Sequence, residues 1–174
     1  MINIGIIGCG RILNKHLSAI KKNKNFYLSA ICDVDANAFK KLGKLDTNFY
    51  LDITKMVNNE NLDMVSILTP SGLHYKNFLQ INRSIKNILI EKPLTTNATH
   101  AKKLYDQARK NKNNVFVVMQ NRFNKPIIAL KEILNKEKLG KVFLTSVRVR
   151  WSRDEKYYNL AKWRGTKKDD GGVL

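Results

Sequence analysis

IGIIGCG, residues 4–10, is the stretch on which the reading of this chain turns. Residues 2–8 read as a strand that runs into Gly8-Cys9-Gly10, after which Leu13, His16, Leu17 and Ile20 mark one face of a helix. Two readings fit a strand that turns into a helix in this way. One is a bare turn between two elements. The other is a phosphate site, in which glycines let the backbone approach a pyrophosphate while the free amides and dipole of the helix start attract its charge. The third small residue of the dinucleotide fingerprint is missing, because Leu13 stands at its place, so the glycines alone leave both readings open.

Asp33 separates them. FYLSAICD (26–33) reads as a second strand ending in an acid placed to accept hydrogen bonds from the 2′ and 3′ hydroxyls of an adenosine ribose. It lies somewhat further from the glycines than the usual spacing of about twenty residues. Its competing role is a strand-end helix cap, which Asp35 fits equally well. Strand, glycines, helix, strand and acid in that order favour a bound dinucleotide. NAD is expected over NADP, since the Asp33 carboxylate repels a 2′-phosphate and no arginine follows it closely.

Further along, apolar strands at 48–51, 63–69, 87–91 and 115–119 alternate with helical patterns. Those helices cover 35–42 and 53–58, then the faces marked by His74, Phe78, Ile81 and Ile85 and by Ala101, Leu104, Tyr105 and Ala108. Strands apolar on both faces and separated by helices argue for a doubly wound parallel α/β sheet covered on both sides. The pattern changes near residue 126. A helix with Ile127, Leu130 and Leu134 is expected to end at Gly140, and VFLTSVRVRW (142–151) alternates as a half-covered strand should. The expected domains are 1–121, binding the dinucleotide, and 122–174, the beginning of a second α/β domain.

EKPL (91–94) directly follows the fifth strand, so Lys92 projects from the carboxyl edge of the sheet, where doubly wound folds bind ligands. A lysine there, partly desolvated, can exchange a proton at neutral pH. A solvated lysine ahead of a helix capped by Thr96 or Asn97 is the plainer role of the same residues.

Composition sets outer limits. A hydrophobic share of 43% and a charged share of 26% are those of a globular domain, and no apolar run reaches membrane-spanning length. The first ten residues lack the order of a signal peptide, which makes the cytoplasm the expected compartment. Cys9 and Cys32 lie in apolar runs without zinc spacing and read as reduced, buried thiols. The formal charge of +18 raises a basic nucleic-acid-binding module as the competing function. Lysines such as Lys15, Lys21, Lys22 and Lys24 fall on helix faces and loops rather than in one tract with stacking aromatics, which disfavours it.

Taken in order, GIIGCGRI with His16, TPSGLHY, EKPL, QNRFNKP, WRGT and DDGGVL resemble the glucose-fructose oxidoreductase and inositol dehydrogenase family, also called Gfo/Idh/MocA. The resemblance covers essentially the whole chain. It implies a Rossmann domain holding a nicotinamide cofactor, a second α/β domain with a large open sheet, and hydride transfer between a sugar carbon and the nicotinamide. By that likeness Lys92 is the catalytic proton-transfer group, and Gly8, Gly10, Arg11, Ile12, Asp33, Thr69, Pro70, His74 and Glu91 hold or line the cofactor. His74 reads equally as a core histidine on a helix face. Gln120 and Arg122 would stand near the substrate. The tail is most similar to the branch acting on nucleotide-linked amino sugars, the UDP-N-acetylglucosaminuronate 3-dehydrogenases of bacterial surface polysaccharide pathways. Arg150, Tyr157, Tyr158, Trp163 and Arg164 would then contact an anionic nucleotide sugar, although Arg148 and Arg150 also suit a solvated or subunit-facing side of their strand. Family members continue beyond the Gly-Gly segment into a helix carrying an aspartate and a histidine, so the chain reads as a fragment or truncated product. A homo-oligomer without membrane association is expected, paired through the orphaned strand after about residue 140.

Overall fold

In the computed structural model, the strand opened by IGIIGCG is β1 (Ile2–Ile7), and it lies in the middle of a parallel sheet. All residues are described except 41, 44 and 172–174. Lys41 of the helix expected over 35–42 and the last three residues of the DDGGVL motif therefore lie outside the described residues. The chain forms two compact units, one of Met1–Val118 joined by the segment that begins at Trp163, the other of Met119–Lys162.

In the first unit β1 is followed by α1 (Leu13–Lys22), β2 (Phe26–Cys32), α2 (Ala36–Lys40), β3 (Asn48–Tyr50), α3 (Ile53–Asn59) and β4 (Met64–Ile67). A single 3₁₀ turn, Ser71–Leu73, leads into α4 (His74–Ile81), then β5 (Asn87–Ile90), α5 (Ala98–Asn111) and β6 (Asn114–Val117). The strand order is β3-β2-β1-β4-β5-β6. This is the order of a Rossmann fold, with the topological switch between β1 and β4. Every pairing is parallel: Ile7 aligns with Cys32 on one side and Ile67 on the other, so the carboxyl ends of the central strands finish level.

Two apolar layers cover the sheet. Ile7, Val65, Ile67, Ile88 and Ile90 pack with Met56, Phe78, Ile81 and Leu104 from α3, α4 and α5. On the opposite face Ile4, Ile6 and Ile31 pack with Leu13 of α1. Cover is less even than the sequence implied: Phe116 of the edge strand β6 is 48% exposed. Helix ends follow their caps. The Asp52 carboxylate accepts from the Lys55 amide at 2.8 Å to start α3, and Asn97, not Thr96, starts α5 by accepting from His100 N–H at 2.8 Å.

The second unit holds a 3₁₀ turn (Gln120–Phe123), α6 (Lys125–Asn135) and the short α7 (Glu155–Asn159). Two expectations fail here. The helix stops at Asn135 rather than Gly140, because the chain turns through Glu137 at φ 52° and Gly140 at φ 60°. Residues 142–151 form no strand. Alternation supplies two distinct faces, but a strand exists only as a hydrogen-bonded ladder, and no described residue pairs with this segment.

Candidate active site

The strand-to-helix turn is built around Gly8, which cannot be replaced freely. Gly8 has φ 103°, and a Cβ there would stand 2.9 Å from both Leu68 C and Thr69 N. Its amide donates to the Cys32 carbonyl at 2.8 Å, tying the turn to β2. At Gly10 the space is nearly open, with only Leu68 O at 4.0 Å, so a ligand can approach the backbone. No side chain caps α1 and its first turn carries no acid, which leaves the helix start electropositive. Leu13, at the fingerprint's missing third position, is 1% exposed and points into the core. Exposed Arg11 and half-buried Ile12 lie between the glycines and α1.

Asp33 stands at the end of β2 and grips this turn. Its Oδ2 accepts from Cys9 N–H at 2.6 Å and its Oδ1 from Asp35 N–H at 2.9 Å. Both roles weighed from the sequence are therefore chemically open to it. It organises the turn into α2 and still presents lone pairs at the sheet edge. Asp35 starts the helix proper by accepting from Asn37 N–H at 2.9 Å. The neighbouring thiols are held protonated. Burial, then the Asp33 charge, pushes Cys9 up to about 12 and Cys32 up to about 11.

Beyond the switch point, the loops after β4 and β5 meet. Lys92 follows β5 and is exposed, so the described residues do not give it the desolvation expected from the sequence. The Lys92–Pro93 peptide bond is cis. Glu91, 9% exposed, turns inward: its Oε1 accepts from His16 Nε2 at 2.9 Å and its Oε2 from Lys92 N–H at 3.2 Å. Burial pushes the Glu91 carboxyl up, but the hydrogen bond and charge of His16 and the Lys92 amide and charge outweigh it, and the group ends below its ordinary value. His74 is 1% exposed, with Nδ1 2.8 Å from the Pro93 carbonyl oxygen and Nε2 2.9 Å from that of Thr69. It is a core histidine that also spans the two loops. Thr69 and Pro70 are half-buried, and Thr69 Oγ1 accepts from Asn77 Nδ2 at 2.8 Å.

His16 and Asn77 were not singled out as site residues from the sequence. The available signal was a polar residue on an otherwise apolar helix face, one turn after His74 in the case of Asn77. Gln120, Arg122, Arg150 and Tyr158 are exposed and belong to the second unit, whereas half-buried Trp163 and Arg164 belong to the first. In the second unit Arg153, which the sequence reading passed over, lies 4.0 Å from the Trp151 ring centroid and 4.6 Å from that of Tyr157. Among the described residues no group of three His, Cys, Asp or Glu side chains could hold a metal, and no helix is long and apolar enough to cross a membrane. A concavity of about 390 Å³ is an open groove at the opposite edge of the sheet, lined by Asn3, Tyr27, Thr47 and Glu60. It shares no residue with the motifs.

A turn with no room for a side chain at Gly8 and open backbone at Gly10, an uncapped helix start and an anchored acid at the next strand fit a dinucleotide, and the fold and site define a nicotinamide-binding Rossmann protein. The chain belongs to the Gfo/Idh/MocA family, the oxidoreductase family with an NAD-binding Rossmann fold, whose pattern matches residues 2–119. Among solved structures it is similar to the WlbA dehydrogenase from Chromobacterium violaceum in complex with NADH and UDP-GlcNAcA: 32% identity, TM-score 0.91, covering 97% of this chain and 49% of that one. The Bordetella pertussis WlbA dehydrogenase, also in complex with NADH and UDP-GlcNAcA, gives 29% identity and TM-score 0.92 over 97% of this chain and 52% of that one. Myo-inositol 2-dehydrogenase of Thermotoga maritima is 26% identical over 142 residues, which is 80% of this chain and 42% of the relative. The chain thus spans about half the length of the relatives it matches.

Proposed function

We propose that this chain is the cofactor-binding part of an NAD-dependent oxidoreductase that acts on a sugar hydroxyl carbon, the substrate being a nucleotide-linked amino sugar. The observation that carries the reading is the placement of Lys92 on the strand end next to β4, across the switch point from the turn held by Gly8 and Asp33. Likeness to two dehydrogenases that bind NADH and UDP-GlcNAcA, over 97% of the chain, supports the substrate class.

When bound, NAD supplies the hydride acceptor for the sugar carbon. Gly8, Gly10, Arg11 and Ile12 hold the pyrophosphate end, Asp33 accepts from the ribose hydroxyls, and Thr69, Pro70 and Glu91 border the nicotinamide end. Lys92 Nζ takes the hydroxyl proton as the carbonyl forms and returns it in the reverse direction. The Glu91 carboxylate fixes the Lys92 backbone by accepting from the Lys92 amide, and His16 fixes Glu91. Gln120, Arg122, Tyr158, Trp163 and Arg164 serve the substrate, the arginines suiting a carboxylate or diphosphate. The domain division at about residue 121, a cytoplasmic setting and a homo-oligomeric assembly belong to the same proposal.

The test is direct. NADH fluorescence titration should give saturable binding, tighter than for NADPH, with no salt-sensitive gel shift of duplex or single-stranded nucleic acid. Nucleic-acid binding without an NADH signal would transfer the function to a basic binding module. In a version that turns over a nucleotide sugar, Lys92→Met should keep NADH affinity and lower turnover by roughly a hundredfold or more. Near-normal turnover would remove Lys92 from its role.

A further inference from the structure

WRGTKKDDG, residues 163–171, closes on itself. The Thr166 hydroxyl donates to the Trp163 carbonyl at 2.7 Å and accepts from Asp169 N–H at 3.2 Å. Gly165 N–H donates to Asp170 Oδ2 at 2.7 Å, while the amides of Asp170 and Gly171 donate to the Thr166 carbonyl at 3.0 and 3.3 Å. Gly165 and Gly171 take φ of 70° and 80°, which lets so short a loop fold back.

The closed loop is seated on the Rossmann unit. Gly72 N–H donates to the Asp169 carbonyl at 3.0 Å. A Cβ on Gly72 would stand 2.7 Å from both Lys168 O and Asp169 Oδ1 and 2.8 Å from Asp169 Cα, so the loop lies against bare backbone. A Cβ on Gly171 would lie 3.4 Å from Thr96 Cβ and Cγ2. Gly72 belongs to the loop that leaves β4 through Thr69, and Thr96 to the loop that leaves β5 through Lys92. The segment therefore touches both the β4 loop and the β5 loop that carries the proposed proton-transfer lysine, the same two loops that His74 ties together.

We infer that residues 163–171 are a strap, seated on Gly72, that positions the β4 and β5 loops for the nicotinamide end of the cofactor. The positioning role rests on the function proposed above; the docking does not. Gly72 is the seat because its backbone is not in the left-handed region, so its need for glycine arises from the space the strap fills.

Two variants test this in the full chain. Gly72→Val puts a side chain where the strap sits. Thr166→Ala opens the strap from within and leaves the Rossmann loops unaltered. Both should speed trypsin cleavage at Lys167 and Lys168 by about tenfold or more, since cleavage reports local opening, and both should weaken NADH binding several-fold. Cleavage at the parental rate in Thr166→Ala would overturn the docking, and that variant decides the matter if Gly72→Val fails to fold. Faster cleavage with unchanged NADH affinity would overturn the positioning role. Absence of NADH binding by the parent protein would remove the proposed function together with the positioning role, while cleavage alone would still decide the docking.

Discussion

Glu91 illustrates how one side chain can be read two ways until its partners are known. In sequence it is the letter before Lys92, and likeness to the family put it beside the nicotinamide. In the structure its carboxylate holds His16, from a helix 75 residues earlier, and the amide of Lys92. The link makes a pH-dependent contribution whose sign follows from the lowered Glu91 value. A carboxyl depressed by folding adds stability above its unfolded value of about 4.3, and that stability is lost as pH falls through the folded value. Glu91→Gln should therefore be less stable than the parent by about 1–2 kcal/mol near neutrality, with the gap closing below about pH 4. Urea unfolding across that range measures it, and a gap independent of pH would show that the charge of Glu91 contributes nothing. Such pairs are hidden from sequence because they join side chains that only the sheet order brings together. Asp33 was legible for the opposite reason: its place at a strand end follows from local periodicity alone.

Among elements, all six strands of the sheet and the helices between them were readable, and the strand expected at 142–151 was not. β1, β2, β4 and β5 lie where continuous apolar runs put them, within a residue or two. The segment 142–151 has a clear alternation yet forms no ladder, because pattern says which face a strand would bury and nothing about whether a partner is at hand. The strand-to-helix turn after β1 was legible through its glycines, and the structure adds why one of them is required. Gly8→Ala would place a methyl against the backbone of Leu68 and Thr69 at a left-handed φ, and backbone cannot retreat as a side chain tip can. The expected cost is about 1–3 kcal/mol. Thermal unfolding should fall by several degrees, and an unchanged midpoint would mean that the turn relaxes without loss.

For the whole molecule, the two units differ in how much they bury. The Rossmann unit has both apolar layers, whereas in Met119–Lys162 the side chains of Phe143, Leu144, Val147 and Val149 are 77–87% exposed. Exposed apolar chain of this extent seeks cover. We expect the 174-residue polypeptide to self-associate through residues after about 140, against the repulsion of its +18 charge, so that light scattering reports an oligomer that grows with salt. A monomer at tens of micromolar in high salt would refute this. The charge itself was plain in the sequence and said nothing of the fold. The position of β1 has its own consequence for how the chain is made. The earliest-synthesised of the six strands lies inside the finished sheet, and one of its flanks stays bare until Met64–Ile67 has been synthesised. At roughly 5–20 residues per second that wait lasts some seconds. A nascent chain arrested before β4 would present an open isoleucine-rich edge, the state in which a chaperone has most to protect.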